Sequence, residues 1–182
     1  MASRYDDELW ELVPEGRAAP PELAAFVAGL DPARSALDLG AGDGAVSATI
    51  RAELLTLADV SATALERARA RLPGAAVVEL EPDAPLPFAD GQFDLVVCTE
   101  TLEHVRDVQL LLSEARRVLE PGGRLAITTP SQGPLMFPPD PLTPHLRFFT
   151  KRSLRLLLDA MGFDVRALSR RGGGLFALAV RY

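Results

Sequence analysis

A chain of 182 residues fits one domain with a substantial core, so residues 1–182 are expected to form a single unit. The net charge of −6, with basic residues scattered along the chain, argues against nucleic acid as a partner, and the single cysteine, Cys98, excludes an intramolecular disulfide. The first residues lack the basic flank and apolar stretch of a signal peptide, and no apolar run reaches about 18 residues. Both observations predict a cytoplasmic protein without a membrane partner. The sequence leaves the oligomeric state open.

Short apolar runs alternate with helix-like segments along the chain. The N-terminal segment 1–34 is expected to be helical, because its prolines suit the first turn of a helix. Beyond it, the pattern predicts strands at residues 35–39, 54–60, 75–80, 93–99 and 124–130, and helices at residues 44–54, 61–72, 107–119 and 150–163. Residues 164–182 then resemble two strands joined by a glycine turn.

The predicted strands are apolar at nearly every position, which is typical of a parallel sheet covered by helices on both faces. The expected fold is therefore an α/β, Rossmann-like, doubly wound and mostly parallel seven-stranded sheet with a C-terminal antiparallel hairpin. Residues 131–149 form the one long irregular stretch. Because such loops in compact domains are usually functional, this segment is predicted to be an active-site loop.

The stretch LDLGAGDGAVS, residues 37–47, ends the first predicted strand and contains Gly40, Gly42 and Gly44. Glycine lets a backbone turn sharply and approach a ligand closely, and open α/β sheets bind ligands beyond the carboxyl ends of their strands. The loop, together with the acid Asp59 at the end of the second strand, also suits a dinucleotide. An NAD-dependent oxidoreductase is therefore one alternative.

Four stretches of the chain indicate a different cofactor from NAD. They are LDLGAGDG, LADVSATALERARARL, EPDAPLPFADGQFDLVVCTETLEHV and RRVLEPGGRLAITTP. In this order they resemble the motifs of class I S-adenosylmethionine-dependent methyltransferases, and the closing antiparallel hairpin is typical of that fold. The resemblance runs from about Leu37 to the C-terminus. It implies an enzyme that uses S-adenosyl-L-methionine and releases S-adenosyl-L-homocysteine.

The resemblance also implies a set of cofactor-binding residues. Asp59 would accept hydrogen bonds from both ribose hydroxyls, Asp83 would accept from the adenine amino group, and Asp38 would lie near the methionyl end. Each acid has a plainer alternative, since Asp in loops often caps a helix or solvates a turn. The full expected cofactor set is Asp38, Gly40, Gly42, Asp59, Val60, Asp83, Ala84, Thr99 and Glu100.

The chain contains two histidines, His104 and His145, and both are expected at the active edge of the sheet. Methyl transfer from a sulfonium needs an aligned acceptor and, for a weakly acidic hydroxyl or an ammonium, a group that removes a proton. The two histidines are therefore the candidate catalytic residues. The alternative is that each imidazole is only hydrogen bonded or partly exposed, without a chemical role.

The stretch ETLEH offers a second interpretation. Glu100, Glu103, His104 and the later His145 resemble the divalent-metal site of small-RNA 2′-O-methyltransferases, provided that a helical turn begins there. Similar stretches occur in metal-free methyltransferases, and the acidic net charge opposes RNA. The expectation is therefore transfer without a metal, with a metal-assisted RNA 2′-O-methyltransferase as the alternative.

The acceptor is expected to be a small, fairly hydrophobic molecule that is methylated on O, N or C. This follows from the apolar character of the 131–149 loop, which suits such a molecule better than a nucleic acid. Tyr5 and Trp10 either close over the cofactor or anchor the N-terminal segment to the surface. The apolar residues of the loop are Leu135, Met136, Phe137, Pro138, Pro139, Phe148 and Phe149.

Overall fold

The computed structural model describes residues 2–131 and 145–182. The expected alternation of strands and helices is confirmed, and the C-terminal residues form two further strands as predicted. The helices are α1 (Ala2–Leu12), α2 (Pro21–Ala28), α3 (Ala62–Arg71), α4 (Val108–Val118) and α5 (Lys151–Ala160). The strands are β1 (Ala33–Leu39), β2 (Ala52–Asp59), β3 (Ala76–Glu79), β4 (Phe93–Thr99), β5 (Leu119–Pro130), β6 (Phe163–Arg171) and β7 (Gly174–Arg181).

The strands form one seven-stranded sheet in the order β3-β2-β1-β4-β5-β7-β6. Strands β1 to β5 pair in parallel, whereas β7 runs antiparallel to both β5 and β6. The mostly parallel sheet with a reversed C-terminal strand is therefore confirmed. The chain reverses its direction of winding between β1 and β4, and this is where open α/β sheets form a crevice at their carboxyl edge.

Local sequence signals set the starts of the helices. Pro20 and Pro21 precede and open α2, where a missing backbone N–H costs nothing. The Ser61 hydroxyl accepts from the backbone N–H of Ala64 and caps α3, and the Asp107 carboxylate does the same for α4. Thr150 begins α5 with a reciprocal capping box.

The predicted helix over residues 44–54 is wrong. The structure has only a short 3-10 turn, Ser47–Thr49, and then enters β2 at Ala52. The reason is tertiary: the pairs Ala33↔Ala52 and Ser35↔Leu54 extend the parallel ladder with β1. Too few residues are then left for a full helix, and sheet pairing overrides the helical propensity of this alanine-rich stretch.

Strand β5 also begins earlier than predicted. The predicted helix ends at residue 119 and the predicted strand begins at residue 124, with the turn-like residues EPGG between them, but β5 starts at Leu119. Leu119 pairs with Phe93, and the register between the strands shifts before Leu95 pairs with Arg124. The turn residues are therefore accommodated as an irregularity within the strand.

Apolar clusters of the described residues lie on both faces of the sheet, and the two largest of the three show how the faces are covered. The larger packs α4 and α5 against residues such as Leu125, Ile127 and Leu175. The smaller packs α2, through Val27, against Ala126 and its neighbours. Because successive strand residues point to opposite faces, β5 contributes alternately to the two clusters, and both faces are covered as the apolar strands predict.

Candidate active site

The glycine loop after β1 is held in place by a hydrogen bond across the crevice. The backbone N–H of Gly42 donates to Asp59 Oδ2 at 2.8 Å, and that of Ser61 donates to Asp59 Oδ1 at 3.0 Å. Burial raises the pKa of Asp59 despite these donors. The carboxylate at the end of β2 is thus fixed in orientation beside the loop.

Gly40 has φ of +83°, and a Cβ there would lie 2.3 Å from Thr101 Oγ1. The Thr101 hydroxyl donates to the carbonyl oxygen of Thr99 at 3.0 Å. The loop after β1 therefore approaches the turn after β4 so closely that only glycine fits. Sequence reasoning assigned Gly40 to the passage of a ligand and missed Thr101, for which no local pattern gives a signal.

The N-terminal helix covers this edge of the sheet. A Cβ on Gly42 would lie 2.6 Å from Cζ2 of Trp10, so the indole packs directly on the loop. The Arg17 guanidinium lies over the indole, 5.1 Å from the ring centroid, and its Nε is 3.4 Å from Asp43 Oδ2. Trp10 thus contacts the expected cofactor loop, whereas Tyr5 is 46% exposed.

A second contact ties α1 to the start of α3. Asp7 Oδ1 accepts from the Ser61 hydroxyl at 2.6 Å and from the Thr63 backbone N–H at 3.0 Å. These hydrogen bonds hold the pKa of Asp7 below its usual value. On the far side of the loop, Arg71 donates to the Asp43 carboxylate at 3.1 Å. The N-terminal segment is therefore an integral wall of this site.

Asp38, near the end of β1, is 1% exposed. Its Oδ2 accepts from the Ser47 hydroxyl at 2.6 Å, and its Oδ1 has no hydrogen-bond partner among the described residues. Burial raises the pKa of this carboxyl to about 7, with the Ser47 hydrogen bond opposing the shift and the charge of Asp59 adding to it. An unsatisfied buried carboxylate oxygen next to the loop is suited to a polar or cationic ligand group.

The third acid of the expected cofactor set lies after β3. Asp83 is an exposed residue with φ of +55°, in a turn that also contains the partly buried Ala84. The backbone N–H of Leu80 donates to the Asp59 carbonyl oxygen at 2.8 Å and ties this segment to the end of β2. Val60 directly follows Asp59 and packs against the larger apolar cluster.

The turn after β4 separates two glutamates. Glu100 Oε1 accepts from the Thr128 hydroxyl at 2.8 Å, while Glu103 Oε2 accepts from the Thr129 hydroxyl at 3.0 Å. Because Thr128 and Thr129 are consecutive strand residues, the two carboxylates lie toward opposite faces of the sheet edge. Thr99, at the end of β4, is 8% exposed.

Glu103 lies beside both histidines. It is 1% exposed, its Oε1 has no hydrogen-bond partner among the described residues, and that oxygen is 3.8 Å from His104 Nε2. The imidazole rings of His104 and His145 are 5.0 Å apart at 63°. Burial, and next the charge of Glu100, raise the pKa of Glu103 to about 8.

The segment that carries His145 is attached to the turn that carries His104. The backbone N–H of Leu146 donates to the Glu103 carbonyl oxygen at 2.8 Å. Arg147 donates to the carbonyl oxygens of Val105 and Arg106, the latter at 2.9 Å. These bonds connect residues about 40 positions apart, so the pairing of the histidines is built by tertiary contacts.

One ligand atom from each of Glu103, His104 and His145 lies within 4.8 Å of the others, so these three residues could hold a metal ion. Glu100, the fourth residue of the metal alternative, does not belong to this group and is bonded to Thr128 instead. The turn at residues 102–104 is a single hydrogen-bonded turn, with His104 N–H donating to the Thr101 carbonyl oxygen at 3.0 Å. The helical spacing that the four-residue set requires is therefore absent there.

The predicted loop over residues 131–149 lies mostly outside the described residues. Leu135, Met136, Phe137, Pro138 and Pro139 belong to the part that is not described. At its ends, Ser131 forms a parallel bridge with Phe149, which is 7% exposed and packs in the larger cluster. Phe148 is 36% exposed and contacts the His145 ring, with 5.4 Å between centroids.

Comparisons with known proteins decide the family. The family model described as a methyltransferase domain matches residues 37–127. The ubiquinone/menaquinone biosynthesis C-methyltransferase UbiE of Desulfotalea psychrophila is 37% identical over 191 residues, covering 95% of this chain and 71% of the relative. The chain belongs to the class I S-adenosylmethionine-dependent methyltransferases.

One further relative is similar in sequence, and one solved structure is similar in fold. The demethylmenaquinone methyltransferase of Clavibacter sepedonicus is 38% identical over 139 residues, covering 74% of this chain and 53% of the relative. A crystal structure of an S-adenosylmethionine-dependent methyltransferase from Aquifex aeolicus has a TM-score of 0.74 at 20% identity, covering 96% of this chain and 97% of that one. The chain spans about half the length of most of the curated relatives that it matches.

Family membership makes S-adenosylmethionine the cofactor, in place of the NAD of the oxidoreductase alternative. The site suits it on structural grounds: a fixed carboxylate at Asp59, an unsatisfied buried oxygen on Asp38 and a glycine loop between them lie at one edge of the sheet. Among residues 2–131 and 145–182, no helix is long and apolar enough to cross a bilayer.

Proposed function

We propose that this chain transfers the methyl group of S-adenosylmethionine to an O, N or C atom of a small, largely apolar acceptor. Relatives named for menaquinone and demethylmenaquinone support a small-molecule acceptor. When bound, S-adenosylmethionine supplies an electrophilic methyl group on a sulfonium. The chain's own residues then have to hold both molecules, exclude water and accept a proton where the acceptor carries one.

The cofactor is proposed to lie along the carboxyl edge of β1, β2 and β3. Asp59 would accept from the ribose hydroxyls, because its two oxygens are already oriented by Gly42 and Ser61 and each retains a further lone pair. Asp83 and Ala84 would contact the adenine. Asp38 would face the methionyl end with its unsatisfied oxygen.

The observation that carries the chemical part of the proposal is the pair of imidazoles beside a buried carboxylate. His104 is 3.8 Å from Glu103 Oε1, and His145 lies against His104. We infer that one of the two histidines removes the acceptor proton. Glu103 would position it, because Thr129 fixes the other carboxylate oxygen and leaves Oε1 toward the imidazole.

Transfer is proposed to need no metal. A sulfonium donor already carries the charge that drives the reaction, so a Lewis acid is required only for an acceptor that must be chelated or made more acidic. Glu103, His104 and His145 are three of the four residues that the metal-assisted RNA 2′-O-methyltransferase alternative would use, and the fourth, Glu100, does not lie with them. The net charge of −6 opposes RNA, since phosphate contacts require basic residues.

The test combines binding with catalysis. Calorimetry with S-adenosylhomocysteine should give a micromolar dissociation constant, and NADH should not bind. Mass spectrometry after incubation with S-adenosylmethionine and a panel of hydroxylated, aminated and quinol acceptors should then detect a product heavier by one methylene. Methyl transfer that chelators abolish and magnesium or manganese restores would contradict the metal-free mechanism, and binding of NADH alone would contradict the proposed reaction.

A further inference from the structure

A cavity of about 590 Å³ opens between the start of α2 and the start of β7. Because β7 is antiparallel to β5, its first residues lie at the carboxyl edge of the parallel strands, where Gly174 pairs with Pro130. The cavity therefore lies at the same edge as the cofactor site, on the face covered by α2. Its size is within the range of small-molecule sites. It is lined by Pro20, Pro21, Glu22, Leu23, Glu100, Gly174 and Phe176.

The apolar part of this cavity is rigidly built. Phe176 is 4% exposed as a residue, and its ring meets that of Phe26 edge to face, with 5.3 Å between centroids. The Arg171 guanidinium lies 5.9 Å from the Phe176 ring centroid but does not line the cavity. Pro20 and Pro21 add two side chains that lose no rotamer freedom. These walls suit an apolar ring system.

The polar part of the cavity consists of two carboxylates. Glu100 has φ of +50°, an uncommon conformation for this residue type that positions its side chain, and Thr128 holds its Oε1. The Glu22 carboxylate lies against the hairpin turn, 2.9 Å from where a Cβ on Gly172 would be. Among the described residues that line the cavity, none is basic.

This combination of apolar walls and acidic groups favours one class of ligand. Partial burial raises the pKa of Glu100, although the hydrogen bond from the Thr128 hydroxyl opposes the shift. A neutral apolar molecule would leave that carboxylate facing a dry surface, at a cost in desolvation. A cation at the same place would form a charge-assisted hydrogen bond with Glu100, and its apolar body would be removed from water against Phe176 and Leu23.

We propose that this cavity is the acceptor pocket and that it selects acceptors bearing a protonated amine on an apolar ring, with Glu100 as the residue that pairs with the ammonium. The inference rests on the proposed function, since it names the acceptor class of that reaction. It places the ammonium at Glu100, toward the opposite face of the sheet edge from Glu103, so an acceptor would have to reach across the edge for a histidine to take its proton. Glu22, an exposed residue of the cavity lining, adds a second carboxylate. The cofactor's own methionyl ammonium is the other source of such a group, and the experiment separates the two.

The experiment uses tryptamine and tryptophol, which share one ring system and differ in the amine or hydroxyl they carry. Calorimetry is performed on the full chain saturated with S-adenosylhomocysteine. Tryptamine should bind about tenfold or more tightly than tryptophol, because only the amine forms a charge-assisted hydrogen bond. In E100Q, the preference should fall to within about threefold. E66Q, which changes an exposed glutamate on α3, should retain the full preference.

Three results would overturn the proposal. Equal binding of the two probes to the native chain would show that no ammonium is selected, and an unchanged preference in E100Q would remove Glu100 from the pocket. Competition of tryptamine with S-adenosylhomocysteine would assign the cavity to the cofactor's ammonium. If E100Q does not fold, as judged by thermal melting, E22Q and F176L are measured instead, and the proposal then requires a smaller preference in the first, where Glu100 remains, and weaker binding of both probes in the second. Failure of the proposed function is distinct, because S-adenosylhomocysteine would then not bind at all.

Discussion

The two halves of the crevice are built in different ways. The half formed by β1 and β2 is local: the glycine loop, Asp38 and Asp59 belong to two neighbouring strands, and backbone N–H groups fix the Asp59 carboxylate. The half formed after β4 is assembled over distance. His104 meets His145 only because Leu146 and Arg147 bond to the turn at residues 102–106.

This difference explains what each half can do. In the β1–β2 half, Asp59 also accepts from the backbone of the loop, so a substitution there disturbs the local backbone together with the ligand contact. A half built from side chains on separate segments can change its acceptor by single substitutions. We therefore expect variants on the β4 side to alter the rate or the choice of acceptor, and variants on the β1–β2 side to alter cofactor affinity or stability.

The largest effect is expected from the histidines. His104→Gln and His145→Gln should be measured separately, and the variant that removes the base should lower kcat by about 10²–10⁴-fold. The affinity for S-adenosylhomocysteine should stay within about twofold in both, because neither imidazole is proposed to touch the cofactor. Steady-state kinetics with an identified acceptor and calorimetry provide the two measurements. If a histidine variant lost cofactor affinity as well as rate, the β4 side would contribute to cofactor binding and the two halves would not differ as proposed.

A second large effect concerns Asp38 and pH. Its pKa is about 7 in the folded chain and about 3.9 in an unfolded one, so the folded state binds the proton more tightly. The stability linked to this group is therefore present at low pH and is lost as the pH rises from about 4 through 7. Without cofactor, Asp38→Asn should be more stable than the native chain by about 1–4 kcal/mol at pH 8.

Urea unfolding at pH 5 and pH 8 checks this prediction. The advantage of Asp38→Asn should be clearly smaller at pH 5, where much of the native carboxyl is protonated. Asp31→Asn, at an exposed position before β1, controls for the change in net charge. A stability difference that is the same at both pH values would show that folding does not raise the pKa of Asp38.

Much of the fold was predictable because its signals are local. Ser61, Asp107 and Thr150 each cap the helix that follows, and the strand at residues 93–99 was predicted with the bounds that the structure has. The segment at residues 44–54 was not predictable in this way. Its alanines favour a helix, yet the pairing of Ala52 with Ala33 depends on a neighbouring strand that no local pattern reveals.

The site shows the same division. The motif order placed Asp38 and Asp59 at one sheet edge, because the carboxyl ends of parallel strands meet there. The separation of Glu100 from Glu103 could not be deduced, since it depends on which of two adjacent threonines of β5 each carboxylate contacts. The contact between Trp10 and Gly42 was equally hidden, because the two residues are linked only through the folded N-terminal helix.

The contact between Trp10 and Gly42 predicts an effect of intermediate size on the free energy of unfolding. Gly42→Ala should cost about 1–3 kcal/mol of unfolding free energy, because alanine is strained at φ of +54° and its Cβ would collide with Trp10. Gly16→Ala isolates the conformational part, since Gly16 has φ of +70° and no atom within 4 Å. In a Trp10→Ala background the cost of Gly42→Ala should fall toward that of Gly16→Ala. Strict additivity of the two changes would show that the indole does not pack on the loop.

The smallest effect with a clear assignment is expected at Asp59. Asp59→Ala should weaken S-adenosylhomocysteine binding about tenfold or more, equivalent to about 1.4 kcal/mol, because two ribose hydrogen bonds are lost. The same change removes the acceptor of the Gly42 and Ser61 N–H groups, so loop order contributes to the loss.

Asp59→Asn distinguishes the two contributions, because it keeps one oxygen for the loop and replaces the other by a donor. Its affinity for S-adenosylhomocysteine should fall between those of the native chain and the alanine variant. Calorimetry on all three proteins, with Glu66→Gln as the control, gives the ordering. A dissociation constant for Asp59→Ala equal to that of the native chain would leave the β1–β2 half of the crevice without its main cofactor contact, and the contrast between the two halves would no longer hold.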